Sequence, residues 1–296
     1  MIEALSDMPL LSPFIEFGFM RRALAGCLAL SLGATPIGVF LMLRRMSLAG
    51  DAMSHAILPG AAVGYLLAGL SLPAMTIGGL IAGLAVAVMA GGVARNTVIR
   101  EDTSLATFYL LSLSAGVLII SLRGSSVDLL HVLFGSVLAL DDATLLLLAG
   151  FTSLSVVALA IGLRLFVLES CDPAFLARIS RLAPLAHYGF LTLLVINLVA
   201  GFHALGTLMA VGIMILPAAA ARLWVCSIGP LLLLAVFTAL LGSTSGLLLS
   251  YYINVPAGPA IVLTLGALYL MSLAIRPLAP LASLWPTSWH VERRPR

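Results

Sequence analysis

Long apolar blocks separated by short polar breaks organise the chain. They predict membrane-spanning helices at about 23–43, 52–70, 73–94, 104–122, 143–166, 183–201, 204–221, 230–252 and 258–275. Runs of roughly 18–25 apolar residues are long enough to cross ~30 Å of hydrocarbon. Barrel strands would instead show short alternating segments. A further apolar stretch, 127–140, is too short to cross and reads as re-entrant or interfacial. No polar stretch is long enough to build a separate soluble domain. Residues 1–296 therefore read as a single transmembrane domain, an all-α, polytopic helical bundle of about eight or nine membrane helices.

Composition strengthens this reading. The chain is 61% hydrophobic and 9% charged, with a mean hydropathy of +1.17. An average soluble domain carries about 25% charged residues. Charge also orients the spans. With the N-terminal segment 1–22 outside and nine spans, twelve arginines fall on the inner side and only Arg21, Arg22 and Arg123 outside. That excess is the positive-inside pattern, and it puts the tail 277–296 in the cytoplasm. All fifteen basic residues are arginine. A phosphate-binding P-loop needs its lysine, so any ATP that drives this chain is held by another subunit. The start, "MIEALSDMPLLSPFIEFGF", lacks a basic leader and is not expected to be a cleaved signal peptide. Cys27, Cys171 and Cys226 are far apart, without metal-binding or redox spacing, and read as small packing residues.

Against this apolar background the polar residues stand out. Asp51 and His55, in "MSLAGDAMSHAILPGAAVGYLLAG", are spaced i, i+4, which puts both on one helix face. Ionisable groups at membrane depth are costly and mark ion or substrate pathways. Carboxylate with neutral imidazole suits a divalent metal ion. The plainer alternative is that Asp51 caps its helix and His55 bonds a carbonyl. Pro59 and Gly60 follow one turn on and should kink the helix, freeing carbonyls near the pair. His131, three residues after Asp128, and His203, in "GFHALG", are further candidates for meeting a metal at the outer face. His187, near the inner side, and His290, in the tail, are assigned to no metal. Catalysis fits poorly. There is no HExxH and no GxSxG, and Ser54 adjoins His55 directly, so the two point in different directions.

The inner loops add a second theme. "ESCDPAFLARISRLAP" (169–184) is a compact segment of alternating charge. "ILPAAAARLWVCSIGP" (215–230) reads as a short alanine-rich helix lying along the inner face, suited to a groove on a cytosolic partner.

Several stretches together resemble one family. "RRMSLAGDAMSHAILPGAA", "REDTSLATFYLLSLSAGVLII", "DLLHVLFG", "CDPAFLARI", "ALGTLMAVGIMILPAAAARL" and "SGLLLSYYINVPAGPAIVL" run in family order across about 40–275. They resemble the permease subunits of zinc and manganese ABC importers (the ABC-3 family), related in fold to the cobalamin and iron-siderophore permeases. The resemblance implies a homodimer around one central pathway in the bacterial inner membrane. It also implies cytosolic ABC ATPase subunits below and a periplasmic or lipid-anchored metal-binding protein above. Asp51 and His55 fall on the family's metal-gating pair, and the coupling region falls on about 217–228, including Pro217, Ala218, Ala221, Arg222 and Ile228. On this reading the chain is a transport subunit and not an enzyme. It has no nucleic-acid partner, and its metal is cargo rather than a resident cofactor. His203 occupies a position that is more often glutamine in the family. That nitrogen ligand tilts the expected cargo toward Zn²⁺, with Mn²⁺ or Fe²⁺ as alternatives. A secondary metal or proton transporter or channel, with Asp51 and His55 as a relay, is the more distant alternative.

Overall fold

A computed structural model of the chain describes residues 12–69, 71–123 and 140–275, the last four of 71–123 by backbone alone. Asp128, His131, nearly all of the short apolar stretch 127–140 and the tail 277–296 lie outside the described residues. Among the described residues the chain is helical, without strands. In chain order the helices are α1 (Ser12–Glu16), α2 (Gly18–Leu43), α3 (Ser47–Ala68), α4 (Leu72–Asn96), α5 (Glu101–Arg123), α6 (Asp142–Cys171), α7 (Pro173–Ile179), α8 (Ala183–Leu205), α9 (Thr207–Arg222), α10 (Ile228–Ile253) and α11 (Ala257–Ile275).

Each expected span lands on a helix, but the nine are not equivalent. Among the described residues, seven helices are long and apolar enough to cross a membrane: α2, α4, α5, α6, α8, α10 and α11. Helix α3 carries Asp51 and His55. The span expected at 204–221 starts later and is shorter. Helix α8 runs on to Leu205, Gly206 takes a positive φ of 84°, and α9 then covers only 16 residues. Glycine accepts that left-handed backbone without a Cβ clash. Sixteen residues rise about 24 Å, less than the ~30 Å core. Both faces of α9 are largely buried, with Met209, Ala210, Ile213, Met214, Pro217, Ala218 and Ala221 in the core.

Local chemistry fixes the helix ends. Asp141 caps α6 by accepting from the Thr144 amide at 3.0 Å, and the Thr144 hydroxyl and amide hold its carboxyl below the usual range. Asp172 caps α7 through the Phe175 amide at 2.9 Å. Pro73, Pro173 and Pro184 sit in the first turns of α4, α7 and α8, where the missing N–H has no partner to lose. Asn254 ends α10 in the left-handed region, a conformation asparagine tolerates.

Two helices form the centre. In α2 and α8, 67% and 72% of the apolar stretch is buried, against 17–39% in the other five long helices. Small residues let the shell close onto them. A Cβ on Gly38 of α2 would overlap the Met214 carbonyl of α9. On α3, a Cβ at Gly60 would overlap the Gly78 carbonyl of α4, and one at Gly64 the Ala74 carbonyl. This is the small-xxx-small packing expected where lipid supplies no hydrophobic drive between helices. Side-chain hydrogen bonds tie helices across the interior. Thr35 donates to the Ile213 carbonyl at 3.0 Å, Thr152 to Ala29 at 3.1 Å, and Asn197 to Ser155 at 2.6 Å.

The α3–α4 crossing makes a direct prediction. Overpacking a tight contact costs about 1–3 kcal/mol, so Gly60→Ala should lower the melting temperature of the detergent-purified protein. Gly150→Ala, whose Cβ meets nothing within 4 Å, should be neutral or gain up to ~1 kcal/mol of helix propensity. Indistinguishable melts of the two variants would show that α3 and α4 are not this close.

Candidate functional site

Helix α3 begins from an unusual turn. Arg45 takes a positive φ of 60° without being glycine. Its amide donates to the Met42 carbonyl at 3.0 Å, and Met46 donates to Leu41 at 2.9 Å. The chain thus leaves α2 and re-enters helix at Ser47 with Met46 as the cap residue. Asp51 lies a full turn inside, so it does not cap the helix.

Asp51 and His55 do share a face. His55 Nε2 lies 3.8 Å from Asp51 Oδ1, beyond hydrogen-bond length. The Asp51 side chain is 64% exposed and that of His55 29%, while Ala52, Met53, Ser54, Ala56 and Ile57 between and beside them are buried. The pair therefore sits on the one open strip of an otherwise packed helix. Tyr109 of α5 flanks it, its ring centre 6.4 Å from that of His55. Ser54 donates to the Asp51 carbonyl at 2.7 Å, which turns its hydroxyl toward its own backbone and ends any serine–histidine reading.

Pro59 supplies no N–H to the His55 carbonyl, its partner in a regular helix. The helix continues through this point from Ser47 to Ala68. Pro59 packs against α5, where a Cβ on Gly116 would lie 2.5 Å from the proline Cβ. Ser112 of α5 donates to the next carbonyl, Ala56, at 3.1 Å.

No third ligand joins the pair within the described residues, where no three His, Cys, Asp or Glu side chains are arranged to hold an ion. His203 is at the last turn of α8, its ring against Phe202 at 4.9 Å. Its Nε2 is buried without a protein hydrogen-bond partner.

The segment expected as a surface helix is different in form. Pro217, Ala218 and Ala221 belong to the buried end of α9, and Ala218 and Ala221 pack on Val39 of α2 and on Leu231 and Ala235 of α10. Alanine is too small and apolar here to face water when α2 is adjacent. Only the turn after it is open: Arg222, which donates to the Cys226 carbonyl at 3.1 Å, then Trp224, Cys226 and Ser227, before α10 starts at Ile228.

One polar cluster escaped the sequence reading. Arg44, Glu101, Glu169 and His187 meet where the end of α2, the start of α5, the end of α6 and the start of α8 come together. His187 Nε2 is 3.3 Å from Glu101 Oε1, and its Nδ1 is 3.4 Å from Glu169 Oε1. Each residue looked like an ordinary loop-end charge, and nothing local pairs positions so far apart in sequence.

The profile of the ABC 3 transport family matches residues 16–276. The chain belongs to this family. Among curated ABC 3 relatives, the manganese import system permease protein ScaB of Streptococcus parasanguinis is 33% identical over 88% of this chain and 92% of its own length. The manganese transport system membrane protein MntC of Listeria innocua is 30% identical over 91% of this chain and 95% of its own. The solved structure of PsaBC from Streptococcus pneumoniae in complex with Fab superposes with a TM-score of 0.79 at 31% identity, covering 96% of this chain and 99% of that one. An inward-facing structure of a metal-chelate type ABC transporter shares the fold, with a TM-score of 0.64 at 16% identity over 86% of this chain and 85% of that one. As an ABC 3 member the chain is a multi-pass protein of the bacterial plasma membrane. It is a transport permease rather than an enzyme, and ATP hydrolysis belongs to a separate subunit.

The open placement of Asp51 and His55 gives a stability prediction. Exposed ion pairs contribute about 0–1 kcal/mol. Asp51→Asn and His55→Ala should therefore leave the thermal melt of the detergent-purified protein within about 1 kcal/mol of wild type. A large drop would make the pair a structural tie instead.

Proposed function

We propose that this permease carries a divalent metal ion into the cell, and that the ion is Mn²⁺ in preference to Zn²⁺. The observation that carries the reading is the Asp51–His55 pair, two metal-binding groups on the one open strip of α3. A carboxylate suits Mn²⁺ and an imidazole suits several divalent ions. The thiols are poorly disposed to help, since Cys27 is buried and Cys171 and Cys226 lie near the inner loops. The case for Zn²⁺ rested on His203, which joins no ligand set among the described residues. The relatives named for manganese tilt the choice the other way. Fe²⁺ is the second reading. Relatives named as iron transport membrane proteins in Haemophilus influenzae and Yersinia pestis, at 30% and 29% identity, favour it.

A second permease copy completes the picture. Two ligands per chain do not close a site, but two copies with their α3 strips facing would bring two carboxylates and two imidazoles to one pathway. Binding there is weak enough to release the ion. The chain crosses nine times, with 1–22 outside and 277–296 inside. The short α9 is tolerated because protein rather than lipid surrounds it. The turn from Arg222 to Ile228 receives the ATPase, and Pro217, Ala218 and Ala221 pass its movement to α2. A periplasmic or lipid-anchored binding protein delivers the ion.

The test is uptake by the complete complex in proteoliposomes, with ATPase and binding protein present. Asp51→Asn or His55→Ala should slow Mn²⁺ uptake at least about tenfold, ~1.4 kcal/mol of barrier. Normal uptake by both variants would remove the pair from the pathway, and faster Zn²⁺ than Mn²⁺ uptake by wild type would overturn the cargo. Uptake by the permease without its ATPase would establish the secondary-transporter reading instead.

A further inference from the structure

The cluster at the inner ends of four helices has no role in the pathway just described. Arg44 directly follows α2, Glu101 opens α5, Glu169 lies in the last turn of α6, and His187 lies early in α8. The His187 and Glu169 side chains are 6% and 4% exposed, and that of Glu101 22%. Arg44 donates from Nε to Ser170 Oγ at 3.2 Å, and its guanidinium stacks 4.0 Å over the Phe190 ring. Burial lowers the Arg44 pKa, Glu101 and Glu169 oppose that shift, and Arg95 adds to it. Helix α4 closes over the imidazole at Gly91, where a Cβ would sit 3.0 Å from His187 Nε2. Arg95 from α4 faces the Tyr188 ring alongside, at 5.9 Å.

The His187 ring lies between the two carboxyl groups at ion-pair distance, and its Nε2 makes no hydrogen bond within the protein. Two basic side chains, Arg44 and His187, thus meet two acidic ones, Glu101 and Glu169. Buried charges persist only when so matched. The arrangement is not a metal cage, because the two carboxylates lie at opposite ring nitrogens and no three donors converge.

Its position links the ATPase side to the ion side. The end of α2, at Val39, Met42 and Leu43, packs on Ala218, Ala221 and Val225 around the end of α9. Arg44 is the next residue, and the left-handed turn at Arg45 leads straight into α3 and Asp51. We propose that His187, with Arg44, Glu101 and Glu169, is a clamp that fixes the inner ends of α2, α5, α6 and α8. A push on the α9–α10 turn then moves α3 and its metal-facing pair instead of spreading through the bundle. His187 is a positioning residue in this scheme, which rests on the pathway and coupling reading above.

The decisive measurement is Mn²⁺ transported per ATP hydrolysed by the full complex in proteoliposomes. His187→Gln, which keeps a donor and an acceptor but no charge, should lower that ratio at least about fivefold, the lower end of site-to-site coupling effects. The ATPase rate should stay near wild type. Glu101→Gln, at the least buried member, provides the same readout if His187→Gln fails to assemble. An unchanged ratio in assembled variants overturns the clamp. Asp51→Asn in the same vesicles separates the two ideas. If it transports normally, the pathway reading has failed. If it is dead while His187→Gln couples normally, only the clamp has failed.

Discussion

Close backbone contact at glycine is the constraint on which the bundle depends. Lipid tails are as apolar as leucine, so burying more leucine between helices gains little; what binds them is approach close enough for dispersion and for hydrogen bonds across the gap. Gly38 lets α2 meet the carbonyl of Met214, and Gly60 and Gly64 let α3 meet those of Gly78 and Ala74. These contacts hold α2 against α9 on one side and α3 against α4 on the other. The Arg44–Met46 turn joins the two assemblies, so the position of Asp51 follows from how both are packed.

The polar residues then divide by burial. Thr35, Thr152, Ser155 and Asn197 are buried and hydrogen-bonded across helices, and they act as fasteners. Asp51 is open, His55 half-buried, and the two are loosely paired at 3.8 Å. Arg44, Glu101, Glu169 and His187 are ionisable and close-packed. A hydrated ion pathway needs the second kind, and a rigid base for motion needs the third.

The solved structures share this architecture. A metal-chelate type transporter at 16% identity keeps the fold, so the architecture tolerates wide change in sequence. The match to PsaBC at 31% extends over nearly the whole of both chains.

The sequence by itself determined the class of structure. A chain so apolar, with runs near 20 residues, has to satisfy its backbone within membrane helices. The i, i+4 spacing of Asp51 and His55 likewise fixed their common face, because helix geometry alone decides it. The glycine at 206 that shortens α9, and the burial of Ala218 and Ala221 in place of a surface helix, were decided by neighbouring helices that local pattern does not see. The charge cluster was least legible. Its members come from four helices spread between Arg44 and His187, and only tertiary packing could bring an imidazole between two carboxylates, since charge pairing depends on distance in space and not along the chain.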